Sequence, residues 1–228
     1  MKHEFDQFSD GYEDTVEQSV SFSGLKHDFF LEAKAHLLAR VLAERFASPR
    51  TISVLDVGCG VGLFHPWLQP LVGQITGADP SGESIERAQL ANPTVAYSVQ
   101  DGRAMDYAAG SFDVALAVTA LHHVPPQDWA AFVTEMRRVV RPGGLVAIIE
   151  HNPWNPLTRL AVARCPLDEN AVLLSAGRAA KLLQGAGCRN RANHHFLLLP
   201  SSSSFVRTIE NYSARLPLGA QYLAIGEA

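Results

Sequence analysis

The stretch VLDVGCGVGLF, residues 54 to 64, sets Gly58, Gly60 and Gly62 between a run that reads as a buried strand and one able to open a helix. Glycines at such a turn let backbone approach a ligand closely and leave N–H groups available to it. In an open parallel sheet that turn lies at the carboxyl edge, where ligands bind. The surrounding pattern agrees. Strand-like runs at 51–57, 73–79, 94–100, 112–120 and 145–151 are almost continuously apolar, as a parallel sheet covered on both faces requires. Helical stretches at 82–91 and 126–140 alternate with them, and in the second, Trp129, Phe132, Val133, Met136, Val139 and Val140 recur at three-and-four spacing to make one buried face. RPGG at 141–144 ends that helix. A helix at 176–187, a strand near 193–200 and a last strand at 220–228 continue the alternation, which is that of a doubly wound α/β fold.

Two segments interrupt the order: the first 50 residues, and 152–175, whose prolines make it a poor sheet component and a natural lid or substrate wall. SSSS at 201–204 is too brief for a linker and reads equally as a helix start. With 228 residues the chain fits one domain, divided as an N-terminal lid (1–50), a ligand-binding core (51–151) and a substrate-wall insertion with the second half of the sheet (152–228). A formal charge of −4 gives no basic footprint for nucleic acid, so the expected partner is a small molecule. No apolar run is long enough to span a bilayer and the N-terminus has no signal core, which points to a cytoplasmic protein. Cys59, Cys165 and Cys188 show no C-x-x-C spacing and read as free thiols.

The ligand's charge can be read from the turn. A dinucleotide fingerprint is G-x-G-x-x-G, but here the third glycine falls one place early, at Gly62. Asp56 stands two residues before Gly58 and would repel a pyrophosphate while attracting an ammonium or a sulfonium. Asp79 ends the second strand in GADPS and Asp101 follows the third in VQDGRAM. Each also has an ordinary reading: Asp79 as a cap for the helix near Gly82, Asp101 as a turn residue beside Gly102, and His122 with His123 as a strand end.

Taken in order, D-x-G-C-G-x-G, GADPS, VQDGRAM, FDVALAVTALHHV and RPGG resemble the class I S-adenosylmethionine-dependent methyltransferases, particularly the small-molecule, UbiE-like group. The resemblance is close over roughly residues 50 to 150 and elsewhere extends to element order only. It implies a Rossmann-like, mostly parallel seven-stranded sheet with helices on both faces, an antiparallel last strand and an N-terminal helical lid. It implies S-adenosyl-L-methionine as cofactor, S-adenosyl-L-homocysteine as product, and a cofactor site drawn from Asp56, Gly58, Cys59, Gly60, Gly62, Asp79, Pro80, Ser81, Asp101, Gly102, Arg103, Thr119 and His122. Asp79 would take both ribose hydroxyls, since one carboxylate accepts two hydrogen bonds. Pro80 and Ser81 would lie against the adenine and Asp101 near its amino group.

Methyl transfer from a sulfonium is an in-line displacement, and a base is needed only where the acceptor must lose a proton. His123 and His151, after the fourth and fifth strands, are the candidate bases, because histidine titrates near neutrality. They read equally as pocket walls. No metal site is expected, since no carboxylate or cysteine completes a ligand spacing with His122, His123 and His151. His194 and His195 read as a strand and its loop. FDQFSDGYEDT resembles the F-D-x-x-A-x-x-Y-D start of quinone-methylating enzymes, departing from it at Ser9 and Glu13. That puts Phe5 and Tyr12 on a lid helix, with Tyr12 a third candidate for contact with the reacting groups, or else an ordinary packing residue. Trp154, Asn152 and Asn155 offer a second wall. The leading expectation is transfer to oxygen or carbon of a phenolic, quinone-like, lipid-linked or sugar metabolite. A non-catalytic cofactor-binding module and a nicotinamide-dependent oxidoreductase are the alternatives, the last opposed by Gly62 and Asp56. The acceptor's identity stays open, as does whether the chain forms a homodimer.

Overall fold

A computed structural model describes residues 12–21, 24–198 and 217–228, without the side chains of 12–14. The expected lid residue Phe5 and the helix start at 201–204 lie outside the described residues. One seven-stranded sheet has the order β3-β2-β1-β4-β5-β7-β6. Its strands are β1 (Ser53–Val57), β2 (Gln74–Asp79), β3 (Ala96–Val99), β4 (Phe112–Val118), β5 (Val140–His151), β6 (Arg189–Phe196) and β7 (Gln221–Glu227). Pairing from β3 through β5 is parallel, and β7 runs antiparallel to both its neighbours. Strand order reverses between β1 and β4, which opens a crevice beside the glycine turn.

The helices are α1 (Tyr12–Val20), α2 (His27–Arg45), α3 (His65–Leu68), α4 (Gly82–Ala91), α5 (Trp129–Val139), α6 (Pro156–Arg164) and α7 (Ala176–Gly185). They cover both faces, which explains the unbroken apolar character of the strands. Leu55, Val57, Val146 and Ile148 pack with Phe132 and Met136 of α5 and Leu183 of α7. Their neighbours Val54, Leu145, Ala147 and Ile149 turn the other way, onto Leu38 and Leu42 of α2. Burying one such large aliphatic side chain contributes roughly 1.5–3 kcal/mol, so the strands are held from both sides.

Two boundaries differ from the sequence reading. Proline and glycine after α5 suggest a turn before the fifth strand, yet β5 already begins at Val140, which pairs with Phe112. Pairing then shifts and resumes at Val114 and Leu145, so the residues between form a bulge within the strand. Gly143, at φ +78°, turns that bulge. His194 and His195 both lie within β6 rather than straddling its end. As expected, 152–175 adds no strand: it forms α6 and a 3-10 turn, Pro166–Asp168. No described helix is long and apolar enough to cross a membrane.

Candidate active site

The carboxyl ends of β1, β2, β4 and β5 open on a cavity of about 750 Å³, whose remaining walls come from α1, α2 and α6. The glycine turn forms its floor. Gly58, Gly60 and Gly62 all have positive φ, at 78°, 52° and 76°. A Cβ on Gly58 would lie 2.6 Å from Ala120 Cβ, so that glycine permits close approach of the segment after β4. A Cβ on Gly60 would meet nothing within 4 Å, which leaves open space above its backbone for a ligand. Gly62 serves packing instead: a Cβ there would stand 2.7 Å from the Tyr97 hydroxyl, and the residue does not line the cavity.

Around this turn, carboxylates are held in place. Asp79 accepts hydrogen bonds from Gly60 N and from Ser81 N, each at 2.9 Å. Asp56 is 2% exposed; its Oδ2 accepts from His65 Nε2 at 3.1 Å, while its Oδ1 has no hydrogen-bond partner among the described residues. The Tyr97 hydroxyl lies 2.5 Å from His65 Nδ1. The consistent tautomer has Tyr97 donating to Nδ1 and His65 donating from Nε2, so two residues absent from the sequence reading orient Asp56. Burial, and then the charges of Asp56 and Asp79, push the Cys59 thiol well up, so it stays protonated.

The other expected cofactor residues divide. Pro80, Asp101, Gly102, Arg103, Thr119 and His122 line the cavity; Ser81 is fully buried behind it, where its hydroxyl caps α4 by accepting from Ser84 N at 3.1 Å. Asp101 carries an extra partner, since Arg103 Nη2 donates to its Oδ2 at 2.6 Å and Arg103 Nη1 donates to Asp128 at 3.1 Å. Thr119 has φ 48°, rare for a β-branched residue, and marks backbone strain at the cavity edge.

Further along the cavity wall, the two histidines after β4 sit on a 3-10 turn, Leu121–His123. His122 Nδ1 lies 2.6 Å from Glu150 Oε2, and Asp168 Oδ1 lies 3.3 Å from His122 Nε2 and 3.4 Å from His123 Nε2. Glu150 also accepts the backbone N–H groups of Leu121, His122 and His151, at 2.8, 3.2 and 3.2 Å. A carboxylate therefore does join this pair, contrary to the sequence reading, because the 152–175 insertion folds back and delivers Asp168. Burial opposes charge on His122, but Glu150 and Asp168 outweigh it and raise the imidazole to about 10. Burial and then the charge on His122 lower His123 to about 3 and His151 to about 4. The expected near-neutral titration of His123 and His151 is corrected accordingly: their own neighbourhood keeps both rings neutral at ordinary pH.

The near-neutral group is Lys34, which the sequence reading passed over. It lies on the buried stripe of α2, is 4% exposed, lines the cavity and makes no hydrogen bond or ion pair among the described residues. Burial lowers its amine to about 8, against the opposing pull of Glu150. Phe29, Phe30, Leu157 and Val162 give this end an apolar surface. Of the second wall, Asn155 lines the cavity, whereas Trp154 is 74% exposed and lies outside it. Asn152 is structural, donating to the carbonyls of Pro217 and Gly219 at 3.0 and 2.8 Å. Tyr12 opens α1, and its side chain lies outside the described residues.

Residues 55–148 match the methyltransferase domain family. Over 111 residues the chain is 38% identical to a 2-methyl-6-phytyl-1,4-hydroquinone methyltransferase of Synechocystis sp., a match covering 47% of this chain and 33% of the relative. Over 115 residues it is 30% identical to a ubiquinone biosynthesis O-methyltransferase of Rhizobium leguminosarum, covering 49% of this chain and 45% of the relative. The chain thus spans between a third and about half of the length of the curated relatives it matches. Among solved structures, one described as an S-adenosylmethionine-dependent methyltransferase, possible histamine N-methyltransferase, from Thermotoga maritima is similar with a TM-score of 0.70. At 20% identity and over 98% of this chain and 97% of the other, that likeness shows the fold.

Proposed function

We propose that this chain, whose residues 55–148 match the methyltransferase domain family, is a class I, S-adenosylmethionine-dependent methyltransferase that methylates a small, largely apolar acceptor at oxygen or carbon. Phenolic and quinol-like acceptors head the list, with lipid-linked and sugar metabolites behind them. One observation carries the reading: the buried Asp56 carboxylate keeps an unpartnered oxygen beside an open glycine cradle. A buried, unpartnered carboxylate oxygen costs free energy that a cationic ligand would offset. The residues fit the cofactor on those grounds. Asp56 would hold its ammonium group, the Gly58–Gly60 backbone its amino-acid portion, and Asp79 its ribose hydroxyls, with Pro80, Asp101, Gly102 and Arg103 along the adenine.

Bound there, S-adenosylmethionine supplies an electrophilic methyl group. The chain's own task is to bring an acceptor lone pair into line with it and to exclude water. The apolar faces of Phe29, Phe30, Leu157 and Val162 would seat the acceptor's body. His151, held neutral, would accept the hydrogen bond of an acceptor hydroxyl and so aim it, with His123 flanking the same space. Lys34 would stabilise negative charge as it develops on that oxygen. A group as weakly basic as His123 or His151 removes a proton poorly, so orientation and charge carry more of this mechanism than base strength.

Calorimetry with S-adenosylmethionine is the first test, and absence of binding to the folded chain would sink the reading. Turnover to S-adenosylhomocysteine with a panel of hydroquinones and phenols is the second. Product formed with any of them rules out a module that only binds the cofactor.

A further inference from the structure

We propose that His122 Nε2, His123 Nε2 and Asp168 Oδ1 form a binding site for one divalent transition-metal ion, zinc or a cation of similar ligand preference. The three ligand atoms lie within 4.8 Å of one another, and Asp168 Oδ1 stands 3.3 and 3.4 Å from the two imidazole nitrogens. Zinc binds histidine nitrogen and carboxylate oxygen at about 2.0–2.2 Å, so two ligands at a tetrahedral angle stand about 3.4 Å apart. Both measured separations are therefore edges of a coordination shell already near its working size.

The support behind the ligands points the same way. A metal-ligating histidine characteristically donates its other ring nitrogen to a carboxylate, which fixes the ring and the tautomer. His122 Nδ1 does this to Glu150 Oε2 at 2.6 Å. Glu150 is itself 1% exposed and pinned by three backbone N–H groups, so Nε2 of His122 is aimed by a rigid assembly. Three protein ligands leave a coordination position free, as in catalytic rather than structural zinc sites. His122, His123 and Asp168 all line the cavity, so that position opens on it. Two imidazoles disfavour magnesium and calcium, which take oxygen.

An ion here would polarise a hydroxyl entering the apolar end of the cavity. That use rests on the methyl-transfer reading; the site itself does not.

The test takes the full chain, stripped with a chelator, and titrates it with Co²⁺ as a spectroscopic stand-in. The expected result is one equivalent bound, a visible d–d absorption band, and displacement by one equivalent of Zn²⁺. Asp168→Asn and, separately, the more exposed His123→Gln should weaken Co²⁺ binding at least tenfold, and Glu150→Gln by about 10- to 100-fold. Circular dichroism checks each variant's fold, and Zn²⁺ should raise the Tm of the parent but not of the two ligand variants. No band at submillimolar Co²⁺ overturns the site, leaving a proton as the bridge between Glu150, His122 and Asp168. Parent-like binding in both folded ligand variants overturns it too, since the ion then sits elsewhere among the nine histidines. Calorimetry with S-adenosylmethionine on the same samples separates the two claims. Cobalt binding without cofactor binding leaves the site standing and removes the transfer reading; the reverse removes the site alone.

Discussion

The two ends of the cavity partner their charges differently. The end under the glycine turn offers Asp56, with a carboxylate oxygen that has no partner among the described residues, and Asp79, steadied by backbone N–H groups. The far end offers Lys34, a buried amine with no hydrogen bond among the described residues, next to an apolar surface and a cluster in which a charged His122 lies between the carboxylates of Glu150 and Asp168. On the proposed reading, the first end would hold the cofactor's cationic group and the second would seat the acceptor beside Lys34. The proposed methyl transfer from a sulfonium to an acceptor would use the two ends in that order.

The largest expected effect breaks the first end. Gly60→Val puts a branched side chain at φ +52° and fills the open space above the cradle. Calorimetry should find S-adenosylmethionine affinity reduced beyond detection, with far-ultraviolet circular dichroism unchanged. A variant that still seats the cofactor would mean the cradle lies elsewhere.

Lys34→Met tests the second end, and its effect should fall on rate. Removing one preorganised group that stabilises developing negative charge typically costs about 10²–10³ in kcat. Cofactor affinity should stay within about twofold of the parent if the two ends are independent. The pH profile supplies a second reading: the ammonium is lost as pH rises through about 8, so the parent's kcat should fall there and Lys34→Arg should hold its activity to higher pH. Loss of cofactor binding in Lys34→Met would instead place the amine at the cofactor's own carboxylate and dissolve the division between the ends.

The two ends also differ in how much of them a reader of the sequence can see. Asp56, Gly58, Gly60 and Asp79 fall within two consecutive strand ends, so strand periodicity and glycine spacing reveal them together. The fold was legible for the same reason, because apolar runs and amphipathic helices are local signals. Lys34, Glu150 and Asp168 come from α2, β5 and a 3-10 turn in the insertion, and no spacing links them. Only tertiary packing brings Asp168 to His122, where it helps hold the positive charge that, after burial, lowers His123 and His151. His65 and Tyr97 were missed for a related reason: a buried relay behind Asp56 looks in the sequence like ordinary helix and strand. Lys34 left one faint mark, as a charged residue on an otherwise apolar helical stripe.

Asp79→Ala sharpens the first end more gently. Its carboxylate should make charged hydrogen bonds to the ribose hydroxyls, so truncation is expected to weaken S-adenosylmethionine by about 1.5–3 kcal/mol, or roughly ten- to a hundredfold. Because the same carboxylate accepts from Gly60 N, part of that loss will come from a loosened cradle. Asp79→Asn keeps an acceptor for that N–H and separates the two contributions. An unchanged dissociation constant in the alanine variant would remove Asp79 from the site.

The smallest effect concerns stability and its dependence on pH at the far end. His151 is lowered to about 4, so between pH 6.5 and about 4 the unfolded chain binds a proton that the folded chain refuses. Its contribution to stability is present above pH 6.5 and declines as pH falls through that window, by at most about 1.4 kcal/mol per pH unit. His122 has the opposite sign: raised to about 10, it contributes below pH 6.5 and loses that contribution as pH rises toward 10. Urea unfolding of the chelator-treated chain should therefore show stability falling on the acid side through His151 together with His123 and His27, and falling above pH 6.5 through His122 until, above about pH 8, the lowered amine of Lys34 contributes with the opposite sign. His151→Gln should make the acid slope shallower, leaving the share of His123 and His27, and should leave the alkaline slope as it is. If His151→Gln keeps the parent's acid slope, the ring is not being held neutral by its burial and by His122. The polar order of the far end would then need a different cause.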